Sequence, residues 1–543
     1  MTADRSASAD DVTAGAGGLL HGVSAPGSHW STNNIGEAMP GVLTPLGWSV
    51  WGPCGERAAR TAFHRVGALT AAEIAEPADP TERFLNIFYG RTAAQVDFMM
   101  RIGDLMPGTS GEAIANQILG STPAGYRSRP SRRRWPVVAV RFPAWFVRTP
   151  RLIRRCRPVT DAWWRAEIAA AETLDLAEAR RHFLAARQRF QETLTLHTTG
   201  VIICMQPVYD MVSRLAAAAG VDGSSLLTGH GSHEETAVVS DLWEVSRGRL
   251  GLSAFLERHG YHGAEEGELS SRMWRESPDA VARLVDQYRD LPDEASPAAV
   301  EQNRAAERRQ AEAALLDGLA GWQRAPARLA LALAARISPL RGVGKVAFLQ
   351  SLDVLRAMAR RIGTCLAKDG LLADPEDAFF LTADELVGEA PLPEQSVVAD
   401  RRRQHDAFRT LRIPLTFQGV PTPERAGGHD PTGRGILTGT GASPGVVEGR
   451  VVVVDDPATA DVEPGDILVA HTTDPSWASI MFLAKALVVD IGGLLSHAAV
   501  VARELGIPCV MHTTDGTSRL RTGDRCRVDG SAGTVEVLSR AAG

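Results

Sequence analysis

The sequence predicts a multidomain α+β protein in which a large, mainly α-helical domain is followed by a small domain of short strands and helices. A chain of 543 residues exceeds what one hydrophobic core supports and calls for roughly two to four domains. Across 161–196 and 300–371, alanine- and arginine-rich segments repeat apolar residues at helical spacing with few breakers. Beyond residue 436 the pattern changes to short β-branched runs.

Taken in order, residues 1–26 are rich in Ala, Gly, Ser and Asp and are expected to be flexible. Residues 27–418 form the helical body, with shorter helices expected over 93–102, 111–119 and 208–219. The Pro- and Gly-rich stretch 419–435 reads as a hinge linker. In 436–543, strands are expected at 446–454, 467–470, 486–489, 509–511 and 534–538, with helices at 475–483 and 496–505. No internal repeat is evident.

Composition narrows the function. The net charge is −6 and the apolar content 44%, so nothing global points to nucleic acid. Lysine occurs only at Lys345, Lys368 and Lys485, which argues against lysine chemistry. The six cysteines are scattered, with no C-x-x-C pair and no zinc spacing. The start lacks the basic and apolar regions of a signal peptide, and no uninterrupted apolar run is long enough to cross a bilayer. A reduced, cytoplasmic protein without a transmembrane segment is the expectation.

The most informative segment runs Gly492-Gly493-Leu494-Leu495-Ser496-His497-Ala498-Ala499-Val500-Val501-Ala502-Arg503-Glu504-Leu505-Gly506-Ile507-Pro508. An apolar strand ends in two glycines that permit a tight turn, Ser496 is a natural N-cap, and His497 opens the helix. Free N–H groups and the positive end of the helix dipole favour a neutral imidazole and an attached phosphoryl group. These residues resemble the signature of the phosphohistidine domain of PEP-utilising enzymes. Gly439-Thr440-Gly441-Ala442-Ser443-Pro444-Gly445, Thr473-Asp474-Pro475-Ser476-Trp477, Gly523-Asp524 and Asp529-Gly530 extend the likeness over about 436–538. It implies a β/β/α swivelling fold, with His497 as phosphoryl carrier and Gly492, Gly493, Ser496 and Arg503 supporting its loop.

The body has its own likeness. Trp30-Ser31-Thr32-Asn33-Asn34-Ile35-Gly36-Glu37 through Thr44-Pro45-Leu46, Phe88-Tyr89-Gly90-Arg91, Gly260-Tyr261-His262-Gly263 with Glu268-Leu269-Ser270, and Asp374-Pro375-Glu376-Asp377-Ala378-Phe379-Phe380-Leu381-Thr382 resemble the acceptor-substrate domain of rifampicin phosphotransferase and PEP-synthase-like proteins. Where that family commonly has Gly-His-Arg-Gly, this chain has Gly260-Tyr261-His262-Gly263. Transfer to a hydroxyl needs a base and cations. His262, Glu266, Glu268 and Arg272 are candidates for those roles, and Asn33, Glu37, Thr44 and Arg91 for lining the same pocket.

Other motifs lead elsewhere. Gly441-Ala442-Ser443-Pro444-Gly445 fits a serine-hydrolase elbow in letters only, because Pro444 has no N–H for an oxyanion. A turn entering the first strand of the C-terminal domain is expected there. Arg341-Gly342-Val343-Gly344-Lys345-Val346 lacks the first glycine and the hydroxyl of a phosphate loop, with Pro339 and Val346 in their places. It is expected to be a helix break. His230-Gly231-Ser232-His233-Glu234-Glu235 reads as a polar loop rather than a metal site. Between Arg127 and Arg157 arginines alternate with Trp135, Phe142, Trp145 and Phe146 without an acidic residue. This segment reads as a pocket cover or partner-docking surface first and a membrane contact second, broken into pieces by Pro136, Pro143 and Pro150.

No ATP-grasp module and no PEP-binding barrel is recognisable. The likeness therefore implies a phosphotransferase component loaded by a separate ATP-grasp subunit, with Mg2+ bound with ATP mainly on that partner, and a small-molecule hydroxyl as acceptor. PEP as donor stays open, as do a non-catalytic regulatory subunit and a phosphorylation-coupled dehydratase.

Overall fold

A computed structural model describes residues 18–541 except 34, 40, 120, 222, 224, 228–233, 426–435, 456, 458–459, 474–476 and 493–495. The His230–His233 segment, Gly493 and most of the 419–435 stretch thus lie outside the described residues. The fold is mixed α/β, with helices dominating the body and the larger sheet at the C-terminal end.

Helix α1 (Pro45–Val66) starts with a Thr44 cap and a proline at its first turn, and ends at Gly67 in the left-handed region. The body core forms where α1 and α3 (Leu176–Gly200) pack with α10 (Leu340–Lys368). Trp51, Phe190 and Phe348 meet edge to face there. The 341–346 segment is not a helix break but part of α10. A Cβ on Gly344 would stand 2.9 Å from Nδ1 of His197. Glycine is there to let two helices approach closely, and the surrounding burial offsets its poor helix propensity.

Helix α2 (Trp135–Ala170) is one 36-residue element despite Pro143, Pro150 and Pro158 inside it, contrary to the expected breaks. Each proline removes one hydrogen bond and bends the axis, but Val138, Thr149, Ile153, Thr160 and Trp164 hold the element on the body by burial. A π-helical turn, Val201–Met205, joins α3 to α4 (Gln206–Ala219). The resulting helix, Leu176–Ala219, has the length and apolarity of a membrane span, where the sequence reading saw none. Gln206, Tyr209 and Asp210 interrupt the apolar run, so the continuity became visible only in the fold. This helix packs along α1 and α10.

The body also contains an antiparallel sheet that sequence patterning did not predict. Its order is β2 (Leu85–Phe88), β3 (Arg91–Gln95), β1 (His29–Ser31), β4 (Thr416–Gln418). Residues 93–95 accordingly belong to a strand, and the helix expected from residue 93 spans Val96–Leu105.

The body continues, between α4 and α10, with α5 (Glu234–Ser246), α6 (Leu252–His259), α7 (Pro278–Arg289), α8 (Pro297–Gly318) and α9 (Gly321–Ile337). The C-terminal sheet has eight strands: β5 (Leu437–Thr438), β6 (Thr440–Ser443), β7 (Val446–Val454), β8 (Ile467–Ala470), β9 (Ala486–Val489), β10 (Cys509–Met511), β11 (Arg525–Asp529) and β12 (Thr534–Ser539). Their order is β5-β12-β11-β7-β8-β9-β10-β6. The inner strands β7 to β10 run parallel, and burial on both faces explains the unbroken apolar runs of β8, β9 and β10. Three strands, β5, β6 and β11, escaped the sequence reading: β5 spans two residues, β6 lies where a turn is expected, and polar residues alternate in β11. Helix α11 (His497–Leu505) packs on this sheet.

This domain is docked on the body through one shared core. Val238, Val239, Leu242 and Trp243 of α5, Phe255, Trp274 and Tyr288 cluster with Trp477, Ile480, Met481 and Ala498. Tyr288 donates to the Ser479 carbonyl at 2.8 Å and stacks on Phe482.

Candidate functional site

Ser496 caps α11 by accepting from the Ala499 N–H at 3.2 Å. Its hydroxyl points to the Met511 sulfur at 3.2 Å. Gly492, at φ 148°, occupies backbone space closed to other residues. Just before it, the fully buried Asp490 accepts from Thr513 at 2.9 Å and Thr517 at 2.5 Å, with His471 at 3.4 Å. Burial would raise the Asp490 pKa, but the bonds from His471, Thr517 and Thr513 outweigh it and hold the carboxyl below its usual range.

His497 opens the helix as expected. Its Nδ1 lies 3.2 Å from the Thr473 hydroxyl. The side chain is 1% exposed. Helix α11 lies between its own sheet and α8 of the body, where Arg304 sits against Gly506. Arg503 is buried and donates from Nε to the Ala499 carbonyl at 2.9 Å, and burial lowers its pKa.

The second constellation is in the body. Buried His262 and Glu266 are joined through Nδ1 and a carboxylate oxygen. The imidazole also packs on Tyr261 and on Trp274 at 5.6 Å between centroids. Trp274 belongs to the core shared with the docked domain, so the pair lies one side chain away from that interface. Glu268 accepts from Thr44 Oγ1 at 2.7 Å, from its N–H at 3.1 Å and from Ser270 at 2.9 Å. Between the two, Glu265 has φ 50°, a left-handed conformation unusual for a side-chain-bearing residue.

A buried ionic network that sequence reading missed fixes this loop. Arg356 donates to the carbonyls of Glu266 and Glu268, both at 3.0 Å. Asp353 accepts from Arg275 at 3.0 Å, Arg356 at 3.3 Å and Trp164 at 2.8 Å. Burial works against the Asp353 charge, yet Arg275 first and then Arg356 hold its pKa below the ordinary value. On the far side, His259 meets Asp241 at 2.9 Å.

Thr44, His262, Glu266 and Glu268 are thus brought together, and two arginines proposed with them are not. Arg91 bonds the carbonyls of Tyr89 and Phe408, and burial, with Arg412 nearby, pushes its pKa down to about 10. Arg272 is 61% exposed in its side chain and reaches Glu376 at 3.5 Å. Arg91 is a candidate from its place in a motif and Arg272 from its nearness in sequence to one, and neither fixes the direction of a side chain. Asn33 has a buried Oδ1 with no hydrogen-bond partner among the described residues. Glu37 lies on the short helix Ile35–Ala38, its side chain outside the described residues.

Two family models match the chain. Residues 462–533 match the mobile domain of PEP-utilising enzymes, and residues 211–342 match the fourth domain of rifampicin phosphotransferase. Among curated relatives, a rifampicin phosphotransferase of Streptomyces sp is 34% identical over 325 residues, covering 56% of this chain and 37% of that protein. A second, from Streptomyces sviceus, is 32% identical over 326 residues, 56% and 36%. The prodigiosin synthesizing transferase PigC of Serratia marcescens is 28% identical over 293 residues, 52% and 33%. The chain spans about a third of the length of these relatives.

Proposed function

We propose that this chain, which carries a match to the mobile domain of PEP-utilising enzymes beside a rifampicin phosphotransferase domain, is a phosphotransferase component that moves a phosphoryl group on His497 to a small-molecule hydroxyl. The observation that carries this reading is His497 at a capped helix N-terminus with Nδ1 engaged by Thr473. In this reading the phosphoryl group is carried on Nε2 beside the helix start, whose N–H groups and dipole would meet the phosphoryl oxygens.

In the first half-reaction Nε2 attacks the β-phosphorus of ATP held by a separate ATP-grasp subunit. The bond from that phosphorus to the α-bridging oxygen breaks, and AMP leaves. The γ-phosphate is released as inorganic phosphate, with water supplying the oxygen. Magnesium enters with the nucleotide on the partner, and no residue of this chain is assigned to it. Because His497 is buried in the docked arrangement, loading requires the C-terminal domain to lift from α5, α7 and α8 on the 419–435 linker.

In the second half-reaction the acceptor hydroxyl oxygen attacks the phosphohistidine, the N–P bond breaks, and His497 regains its neutral imidazole. The hydroxyl proton passes to His262, whose imidazole is oriented and, once charged, balanced by Glu266. Thr44 and Glu268 fix the wall of this station. Tethering the carrier raises its effective concentration at both stations. The reading is tested by combining the chain, an ATP-grasp partner, ATP and candidate hydroxyl compounds. A phosphorylated small molecule is expected, and a His497→Ala protein should form none. Labelling of His497 with no product would instead mark a regulatory subunit.

A further inference from the structure

Two stretches of the chain contain no acidic residue, from Arg127 to Thr160 and from Gly318 to Leu352. The fold turns them largely into α2 and α9, which touch near Arg154 and Arg336. Arg154 of α2 donates to the carbonyl of Arg336 in α9 at 3.3 Å. The inner faces of both helices enter one apolar cluster, with Val138 and Ile153 from α2 and Ala327, Ala330, Leu331, Ala334 and Ile337 from α9.

The outer faces carry an unusual mixture. On α2, Val140 is 72% exposed and Val147 57%, alternating with exposed Arg148, Arg151 and Arg155. On α9, Trp322 is 78% exposed and Leu329 62%, beside exposed Arg328 and Arg336. Arg151, Arg155, Arg328 and Arg336 make no ion pair among the described residues. This face is positive on a chain whose overall charge is −6, so the molecule has an electrostatic direction.

We propose that the α2–α9 face is a peripheral membrane-binding surface for anionic phospholipid. Tryptophan and aliphatic side chains interleaved with guanidinium groups are suited to a headgroup boundary, where the apolar groups reach the acyl region and the arginines meet phosphates. Nucleic acid would use the arginines but leave Val140, Val147 and Leu329 without a role. A folded acidic partner needs matched carboxylates at fixed positions, whereas these arginines are interleaved with the exposed Val140, Val147, Trp322 and Leu329. The helices lie on the surface and do not cross, because their other faces belong to the body core. This inference is independent of the phosphohistidine reading.

The test is co-sedimentation of the full chain with vesicles of phosphatidylcholine alone or mixed with phosphatidylglycerol. Binding is expected only to the mixed vesicles and should fall as salt is raised. Two variants, W322S with L329S, and R151E with R155E and R328E, should each partition at least tenfold more weakly while keeping the wild-type melting temperature and circular dichroism. Equal binding to neutral vesicles, no binding to either, or unchanged binding by either variant overturns the proposal. So does salt-sensitive retention on DNA or on an acidic protein without vesicle binding.

Discussion

Asp353 accepts from Trp164, Arg275 and Arg356, and Arg356 in turn holds the carbonyls of Glu266 and Glu268. Replacing it by asparagine leaves two cations without their shared anion, which costs about 3–5 kcal/mol in a buried network. Thermal or urea unfolding of an Asp353→Asn protein should show that loss. Because the folded pKa of Asp353 is depressed, its contribution is complete above the unfolded carboxylate value of about 4 and disappears as pH falls through the folded value. The wild type should therefore lose its advantage over the variant in acid. At the other station, Thr473 orients His497. A Thr473→Val protein should keep its stability to within about 1.5 kcal/mol yet accept the phosphoryl group up to about a hundredfold more slowly, as rapid-quench labelling would show. His497 and its Ser496 cap were readable because glycine turn, cap and helix are contiguous. Asp490, Asp353 and Arg356 were not, since their partners lie far along the chain. The clue available was an ionic pair, Asp353 and Arg356, set inside an apolar helical run.

Helix α10 shows where patterning succeeds and where it misleads. Its apolar period announced a helix, but the glycines of 341–346 read as a break, whereas Gly344 serves close packing on α3. Adding a side chain there overpacks the contact, so Gly344→Val should lower stability by about 1–3 kcal/mol in a denaturant titration. Likewise, the prolines of α2 were read as breakers because local propensity cannot register the burial that holds the helix together. Parallel strands β8 to β10 stand at their expected bounds because burial on both faces makes them continuous apolar runs. The body sheet was missed for the opposite reason: its strands span three to five residues, and β1 finds its partners β3 and β4 far along the chain.

At the scale of the whole molecule, the C-terminal domain is docked so that His497 is buried, and the apolar core it shares with α5, α6 and α7 holds it there. Tyr288 bonds the Ser479 carbonyl and stacks on Phe482, while Trp243 meets the same ring edge-on at 6.5 Å. Removing the ring in Tyr288→Ala should favour the lifted state, raising the rate at which a histidine-specific acylating reagent modifies His497 by roughly tenfold, equivalent to about 1.4 kcal/mol. Unchanged modification would place the protecting contacts elsewhere. The account as a whole rests on a covalent phosphoryl group at one nitrogen. Mass analysis of the peptide containing His497, after incubating the chain with the proposed ATP-grasp partner and ATP, measures this directly. The account predicts one phosphoryl group on His497, stable in alkali, lost in acid, and discharged when acceptor is added. An unmodified peptide beside a phosphorylated acceptor, or stable phosphate on a serine or threonine instead, would contradict it.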